Sequence, residues 1–275
     1  MTEPATVRRA LAQSGLVPVD AHALLCFVLG RNRAWLAAHG DDPLEKASAD
    51  AFLALAKRRR DGEPVAYLVG SREFWGLSLV VSPAVLIPRP ETETLVEVAL
   101  ARLPAERETR VLDLGTGSGA IALALAHERP RAQVLAVDLS ADALAVAQEN
   151  ARRLGLANVV FLQSNWYANV PAVAAFDLIA SNPPYVAARD PHLSEGDLRF
   201  EPASALASGA DGLDALRTIV AGAAPRLVPG GALVVECGHD QSEKARSLFT
   251  AAGFVAVAVA RDLAGIPRVV AGRLG

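Results

Sequence analysis

The sequence predicts an α/β protein with a mostly parallel sheet, preceded by a small helical bundle. From Arg110 onward, short apolar strands alternate with amphipathic helices, which is typical of a parallel sheet covered on both faces. Before Gly62, apolar residues recur at helical spacing between glycines. With 275 residues, 52% of them hydrophobic, the chain is long and apolar enough for two domains and excludes a disordered protein.

Four short helices are predicted in the N-terminal part. The glycines that end them stand at positions 15, 30, 40 and 62. Asn32 is expected to cap the third helix, and the fourth is expected to begin at Ser48. The basic run Lys57-Arg58-Arg59-Arg60 falls in the last turn of the fourth helix, where positive charge complements the helix dipole. The alternative, a contact with RNA or an acidic partner, is less favoured.

Around Phe74 the apolar period changes from helical to alternating. Phe74, Leu77, Leu79 and Val81, interrupted by Gly76, predict a β-hairpin that joins two domains. The prolines at positions 88 and 90 keep the next segment extended until after position 90. We therefore expect a helical domain over residues 1–72, a hairpin and linker over 73–90, and a second domain over 91–275.

Seven strands are predicted in the second domain. They cover residues 111–114, 134–137, 159–162, 178–180, 233–235, 255–259 and 269–271. Helices are predicted over 120–127 and 141–154, after the first two strands. Only a short connection separates the last two strands, so the last strand is expected to run antiparallel.

Composition and charge exclude several functions. The chain has 27 basic and 30 acidic residues and a formal charge of −3, which argues against a general nucleic-acid coat. The first 73 residues carry a net +1 and the remainder −4. Fourteen aromatic residues are too few for an extended base-stacking platform.

The sequence also predicts a reduced, cytoplasmic protein without a membrane span or a metal site. No stretch approaches the roughly 18 apolar residues of a membrane helix. Cys26 and Cys237 lie far apart in the chain, and the N-terminus has no signal pattern. The five histidines show no ligand spacing with each other or with the cysteines.

A glycine-rich turn follows the first strand of the second domain. In Asp113-Leu114-Gly115-Thr116-Gly117-Ser118-Gly119-Ala120, a strand ends in glycines that open directly into a helix, so a ligand can approach the backbone closely. Asp138, at the end of the second strand, stands where a ribose-binding acid is expected. The turn predicts a nucleotide pocket, but it does not separate a nicotinamide cofactor from S-adenosyl-L-methionine.

Asn182-Pro183-Pro184-Tyr185 separates these cofactors. It stands where the fourth strand of the second domain stops, on the carboxyl edge where open α/β sheets bind ligands. Two prolines lack N–H donors and stiffen the chain, so this edge offers acceptors without competing donors. If the Asn182 side-chain oxygen and the Pro183 carbonyl accept the two protons of a planar amino group, its nitrogen can attack a sulfonium methyl. Tyr185 is then placed to stack on the planar group.

Both motifs resemble methyltransferases that use S-adenosyl-L-methionine to modify exocyclic or amide nitrogens. Two acceptors share this chemistry, adenine N6 in nucleic acid and the side-chain amide of glutamine, and these four residues do not choose between them. The flanking sequence resembles the bacterial release-factor glutamine methyltransferases, the PrmC/HemK family, over nearly the whole chain. The segments that carry the resemblance are Glu73-Phe74-Trp75-Gly76, residues 87–93, Phe200-Glu201-Pro202, and residues 205–214 and 261–265.

The resemblance implies a Rossmann-like class I methyltransferase fold with a helical N-terminal domain that recognises the substrate. It also implies methyl transfer to N5 of the glutamine in the Gly-Gly-Gln motif of class I peptide chain release factors, with S-adenosyl-L-homocysteine as the other product. The alternatives are a ribosomal-protein glutamine or adenine N6, but neither part of the chain is basic enough to grip a duplex, and no sequence-specific nucleic-acid binding is expected.

Carried onto this sequence, the resemblance implies a set of site residues. The cofactor is assigned to Gly115, Thr116, Gly117, Ser118, Gly119, Asp138 for the ribose, Trp166 for the adenine, and Asn182. Asn182, Pro183, Pro184 and Tyr185 are assigned to the glutamine, and Asn182, Pro183 and Tyr185 to catalysis. One position departs from the family pattern: Asn165 stands before the tryptophan where an acidic residue is common.

Overall fold

The computed structural model describes residues 6–173 and 175–275, in which the chain folds as two units. The helical unit is the described chain up to Ser71 together with Gly196–Phe200. The sheet unit comprises Arg72–Glu195 and Glu201–Gly275. No helix within the described ranges is long and apolar enough to cross a membrane.

Five helices form the helical unit. They are α1 (Val7–Gln13), α2 (Pro18–Leu29), α3 (Arg33–Ala38), α4 (Lys46–Arg60) and α5 (Val65–Val69). Leu24, Leu25 and Phe52 are fully buried between them. Asn32 caps α3 as predicted, its side chain accepting from the Trp35 amide at 2.9 Å. Helix α4 begins two residues before the predicted start, and α5 was not predicted because five residues are too few to show a helical period.

Two of the three arginines at the end of α4, Arg58 and Arg59, bind carboxylates of the helical unit itself. Arg59 lies 2.7 Å from Asp20 and 2.7 Å from Asp197, and Arg58 forms an ion pair with Glu63. Arg59 is only 22% exposed at its side chain. These arginines therefore have structural partners, and they are not available as a free basic patch.

After α5, the described residues contain nine strands and five further α-helices. The strands are β1 (Ser71–Phe74), β2 (Leu77–Val80), β3 (Thr109–Leu114), β4 (Ala132–Asp138), β5 (Val159–Gln163), β6 (Phe176–Ser181), β7 (Leu227–Glu236), β8 (Phe254–Arg261) and β9 (Pro267–Leu274). The helices are α6 (Glu93–Leu100), α7 (Ala120–Glu128), α8 (Ala141–Leu154), α9 (Asp214–Ala223) and α10 (Ser242–Ala251).

Strands β3 to β9 form one sheet in the order β5-β4-β3-β6-β7-β9-β8. Neighbouring strands from β5 to β7 pair in parallel, whereas β9 is antiparallel to both β7 and β8. The predicted fold class, with its antiparallel last strand, is therefore confirmed. Strand β7 starts six residues before the predicted strand, and its pairing with β6 is irregular there. Pro229 and two glycines in this stretch have the composition of a turn, which hid the strand.

Helices cover both faces of this sheet. Val111 and Leu178 pack on one face in the apolar cluster that contains most of α7, whereas the next residues along the strands, Leu112 and Ile179, pack on the other face with α9. All four side chains are 0% exposed. Burial on both faces explains the continuous apolar strands of the sequence.

Strands β1 and β2 form the predicted hairpin. Its turn has positive φ at both Trp75 (+53°) and Gly76 (+69°), the conformation of a tight hairpin turn. Asn150 of α8 holds the second strand: its Oδ1 accepts from the Val80 amide at 2.7 Å, and its Nδ2 donates to the Val80 carbonyl. Because Asn150 also donates to the Ser118 carbonyl at 2.9 Å, one buried amide joins the hairpin to the glycine turn.

The sheet register lines up the residues that follow four strands. Leu114 of β3 pairs with Val137 of β4 and with Ser181 of β6, and Ser181 pairs with Val235 of β7. The Ser181 hydroxyl also donates to the Leu114 carbonyl at 2.7 Å. The next residue of each strand or loop therefore stands in one row at the carboxyl edge, in the order Asp138, Gly115, Asn182, Glu236.

We predict that replacing Arg59 destabilises the protein more than replacing its neighbour Arg58. Arg59→Ala leaves two carboxylates without their half-buried partner and lowers the free energy of unfolding by about 2 kcal/mol. Arg58 is 54% exposed, so Arg58→Ala costs less than about 1 kcal/mol. Urea denaturation of the full chain measures both. Equal losses for the two variants would contradict the structural role of the Arg59 pairs.

Candidate active site

The glycine turn after β3 adopts a backbone that other residues rarely adopt. Gly115, Gly117 and Gly119 have φ of +71°, +56° and +86°. The amides of Gly115 and Thr116 both donate to the Val137 carbonyl at 2.9 Å, which fixes the turn against β4. The backbone therefore curls at the carboxyl edge of the sheet without side chains at three of its five positions.

Asp138 is held rigidly beside this turn. Its Oδ2 accepts from the Gly117 amide at 2.8 Å, and its Oδ1 accepts from the Ser140 amide at 2.9 Å. Each carboxylate oxygen keeps a further lone pair for a ligand hydroxyl. The turn and the predicted ribose-binding acid thus form one hydrogen-bonded group.

Trp166 supplies an apolar surface next to Gly115. A Cβ on Gly115 would lie 3.4 Å from the indole ring, so the ring packs against the bare backbone of the turn. Trp166 has φ of +49°, and its carbonyl accepts from the Ser164 hydroxyl at 2.8 Å. Asn165, the residue before Trp166, lines the same cavity.

One cavity of about 200 Å³ gathers most of these groups at the carboxyl edge of the sheet. The predicted site residues in its wall are Gly115, Gly117, Asp138, Trp166, Asn182 and Pro184. Lining residues that were not predicted come from four other places: Ala84, Val85 and Leu86 before α6; Leu139, Ser140 and Ala143 after β4; Ser164 and Asn165 after β5; and Pro202, Ser204 and Ala205.

Five predicted residues lie outside this wall: Thr116, Ser118, Gly119, Pro183 and Tyr185. The Thr116 hydroxyl donates to Asp113 at 2.6 Å, and the Ser118 side chain is buried. A Cβ on Gly119 would lie 3.0 Å from Leu123, so this glycine is needed for helix packing. Their assignment to a ligand stays a prediction, and the side chain of Thr116 has a supporting role in the turn.

Asp113 is a buried acid that the predicted site did not include. It is 0% exposed, and Oδ1 forms no hydrogen bond of normal geometry with any described residue. Burial raises the pKa of Asp113 to about 7, against the lowering effect of the Thr116 hydrogen bond. The sequence feature that could have identified Asp113 is a carboxylic acid within an otherwise apolar strand.

Two buried residues, Thr92 and Glu236, hold the predicted acceptor edge after β6. The Asn182 Nδ2 donates to the Thr92 hydroxyl at 3.0 Å, and Oδ1 accepts no hydrogen bond from the described part of the chain. The Tyr185 hydroxyl donates to Glu236 at 3.3 Å. Burial raises the pKa of Tyr185 above its ordinary value and that of Glu236 to about 7.

The backbone of Tyr185 is also fixed. Its carbonyl accepts from Gln241 Nε2 at 2.9 Å, while Gln241 Oε1 accepts from the Gly238 amide at 3.0 Å. A Cβ on Gly212 would lie 2.3 Å from the Tyr185 carbonyl oxygen, so only glycine fits at position 212. Both ends of the Asn-Pro-Pro-Tyr segment are therefore anchored.

A buried ion pair brings the unpredicted lining segments together. The Arg89 guanidinium binds Glu201, whose side chain is 0% exposed. Glu201 also accepts from the Ile87 amide at 3.4 Å. Because the cavity is lined on one side by Leu86 and on another by Pro202, this pair fixes two walls at once.

Comparisons with known proteins agree with this geometry. The PrmC N-terminal domain model matches residues 5–70, and the methyltransferase small domain model matches residues 92–204. A release factor glutamine methyltransferase of Xylella fastidiosa (strain Temecula1) is 58% identical over 264 residues, covering 96% of both chains. The Bordetella pertussis protein of the same name is 55% identical and covers 96% of this chain and 97% of its own.

The chain belongs to the release factor glutamine methyltransferase family. This membership confirms the resemblance that the sequence motifs carried. A solved Thermus thermophilus 16S rRNA N2 G1207 methyltransferase in complex with AdoMet and guanosine shares the fold, with a TM-score of 0.56 and 23% identity. The match covers 74% of this chain and 50% of that one.

Gly117→Ala is predicted to impair cofactor binding, with Gly155→Ala as its control. Both glycines have positive φ (+56° and +67°), and neither has an atom within 4 Å of an added Cβ, so both variants carry similar backbone strain. Only Gly117 lines the cavity. We expect the affinity for S-adenosyl-L-homocysteine to fall by about 10-fold or more for Gly117→Ala alone, measured by calorimetry. Equal affinities for the two variants would contradict this placement of the cofactor.

Asp113→Asn is predicted to change how stability depends on pH. Because the folded pKa of Asp113 is raised to about 7, ionisation disfavours the native state, so stability falls as the pH rises from the unfolded pKa toward 7. Between pH 5.5 and 8 the wild type should lose about 2 kcal/mol more than the variant. Urea denaturation at both pH values checks this, and parallel losses would contradict it.

Proposed function

We propose that this chain transfers the methyl group of S-adenosyl-L-methionine to the side-chain amide nitrogen, N5, of the glutamine in the Gly-Gly-Gln motif of class I peptide chain release factors. Family membership supports the proposal. The observation that carries it is the position of Asn182, in the wall of the same cavity as Gly117, Asp138 and Trp166. A hydrogen-bonding group for an amide thus stands beside a nucleotide-type pocket.

The residues present fit S-adenosyl-L-methionine, which supplies an electrophilic methyl group on a sulfonium sulfur. Gly115 and Gly117 leave the backbone of the turn open to close approach. The fixed Asp138 carboxylate suits the two ribose hydroxyls, and Trp166 offers an aromatic face for the adenine. Asn165 can accept from the adenine amino group, but without the negative charge of an acidic residue. No metal takes part in the proposed reaction.

Asn182 and Pro183 hold the acceptor nitrogen in this proposal. The Asn182 Oδ1 and the Pro183 carbonyl accept the two protons of the glutamine amide, which turns its lone pair out of conjugation and toward the methyl group. Pro184 limits movement of the backbone, and Tyr185 packs against the amide plane. The new N–C bond forms as the S–C bond breaks, and the nitrogen then loses a proton to water, so no general base is required.

Positioning provides most of the rate enhancement in this scheme. Holding the two reactants in line lowers the barrier by roughly 7 to 11 kcal/mol. One preorganised hydrogen bond to the reacting group adds about 3 to 4 kcal/mol. The anchors on Asn182 and Tyr185 keep these groups in place before the substrate arrives. The products are the N5-methylated glutamine and S-adenosyl-L-homocysteine.

A protein substrate is favoured over nucleic acid. The helical domain, residues 1–72, is proposed to recognise the release factor, residues 73–90 to connect the domains, and residues 91–275 to catalyse transfer. The first 73 residues carry only +1, and Arg58 and Arg59 of α4 form ion pairs within the helical unit. With net charges of +1 and −4, neither part is basic enough to grip a duplex.

Methylation assays with matched substrates test the proposal. The enzyme is incubated with radiolabelled S-adenosyl-L-methionine and a class I release factor, or with the same factor carrying Glu in place of the Gly-Gly-Gln glutamine. Label and a mass increase of one methyl group are expected on the Gly-Gly-Gln peptide of the first factor only. Label confined to DNA, to a ribosomal protein, or equally to both factors would overturn the proposal.

Asn182→Ala is predicted to lower kcat by about 100-fold or more, because the acceptor loses a preorganised hydrogen bond. Asn169→Ala is the matched control, since Asn169 is exposed, its side chain donates to the Gln163 carbonyl, and it does not line the cavity. Steady-state kinetics with the release factor measure both variants. Unchanged turnover in Asn182→Ala would refute the assigned role.

A further inference from the structure

Thr92 occupies a helix-capping position but does not cap its helix. It precedes α6, at the end of a turn of 3-10 helix over Pro90–Thr92, and its side chain makes no cap hydrogen bond. Thr6, Asn32 and Ser140 stand at equivalent positions, and each accepts from a backbone amide of its own helix. The Thr92 hydroxyl is therefore committed to other partners.

Those partners are Asn182 and Glu236. Thr92 Oγ1 accepts from Asn182 Nδ2 at 3.0 Å. The Thr92 hydroxyl also lies close enough to Glu236 to lower the pKa of this acid, as does the Tyr185 hydroxyl, against the raising effect of burial. Thr92 is 4% exposed, so water does not compete freely for the hydroxyl. A single buried hydroxyl thus lies between the acceptor-edge amide and a buried acid.

Glu236 is well placed to control that hydroxyl. It ends β7, one position beyond the Ser181–Val235 pairing, and is 1% exposed. Its Oε2 forms no hydrogen bond of normal geometry within the described residues. The proposed methyl transfer gives this acid no role of its own.

We propose that Glu236 is a positioning residue that sets, through Thr92, the orientation of the Asn182 amide. The inference rests on the proposed function. A hydroxyl has one proton, and a carboxylate can only accept. When Thr92 donates toward the Glu236 carboxylate, its oxygen can only accept from Asn182. The Asn182 NH₂ group then faces Thr92, and Oδ1 faces the side from which the glutamine amide approaches.

Glu236→Gln breaks this ordering with little change in volume. The new amide can donate to Thr92, which then can donate to Asn182 and allow its amide to turn over. We expect kcat to fall about 10- to 100-fold, while KM for the release factor and the affinity for S-adenosyl-L-homocysteine change less than about 3-fold. Glu243→Gln, on the exposed face of α10, is the matched control and should retain wild-type kinetics.

Variants of Thr92 test the connection from Glu236 to Asn182 without changing Glu236 itself. Thr92→Val removes the hydroxyl at constant shape and should lose as much kcat as Glu236→Gln, whereas Thr92→Ser keeps the hydroxyl and should retain activity. In the double variant Glu236→Gln/Thr92→Val the losses should not multiply, because both changes break one chain of hydrogen bonds. Full activity of Thr92→Val, or multiplied losses, would overturn the proposal.

The pH dependence of kcat distinguishes a positioning role of Glu236 from a purely structural one. The groups that face Glu236 are Thr92 and Glu91 before α6, Tyr185 after β6, Arg268 of β9 and the adjacent Cys237. Protonated Glu236 can donate to Thr92, so wild-type kcat should fall as the pH drops below about 7. This limb should be absent from Glu236→Gln. An unchanged limb in the variant would contradict the proposal.

Nuclear magnetic resonance of the complex with S-adenosyl-L-homocysteine separates this proposal from the proposed function. The Asn182 side-chain amide protons should show a strong nuclear Overhauser effect to the Thr92 methyl group in the wild type and a weakened one in Glu236→Gln. The same weak effect in both proteins would refute the orientation. If the wild type orients Asn182 as described but methylates no glutamine, the proposed function fails, while the orientation of Asn182 by Glu236 stands.

Discussion

The parallel register of β4, β3, β6 and β7 brings four groups of the site into one row. Val137, Leu114, Ser181 and Val235 form one row across these strands, so the following residues form the next row. That row holds Asp138, which is predicted to bind the ribose, then Gly115 of the glycine turn, Asn182 and the buried Glu236. A slip of one residue in any strand would turn its side chains to the other face and remove one group from the row. Burial of both faces of the sheet makes such a slip costly.

Several polar side chains that support the site are buried, and they form hydrogen bonds with other protein groups. Asp113 holds Thr116, Asn150 holds both the hairpin and the glycine turn, and Gln241 holds the acceptor edge. Burying such groups is costly unless they are hydrogen-bonded, and once bonded they admit few alternative arrangements. The residues that would meet the ligands are therefore oriented by neighbours that no ligand touches. Rigidity of this kind suits a reaction that depends on alignment more than on proton transfer.

The sequence predicted those parts of the fold and site that depend on local pattern. The glycine turn and the Asn-Pro-Pro-Tyr segment are contiguous, so their residue types alone indicated their conformations. The alternating strands and helices likewise predicted the sheet. Helices α5, α9 and α10 were missed. The cavity walls around Leu86 and Pro202 could not be predicted, because the Arg89–Glu201 pair that joins them spans 112 positions. Asp113 and Glu236 left a visible signal, an acid in an apolar strand, but their partners come from distant segments.

The helical unit is discontinuous in the chain. Residues up to Ser71 form its helices, but Gly196–Phe200 belongs to it as well, and Asp197 supplies one of the two carboxylates that bind Arg59. During synthesis the five helices of this unit leave the ribosome long before Gly196–Phe200. The Arg59–Asp197 ion pair can therefore form only after β3, β4, β5 and β6 have also been synthesised. A fragment that ends after α5 would lack Asp197 altogether. The N-terminal unit is thus finished only after the segment that bears Asn182 has been made.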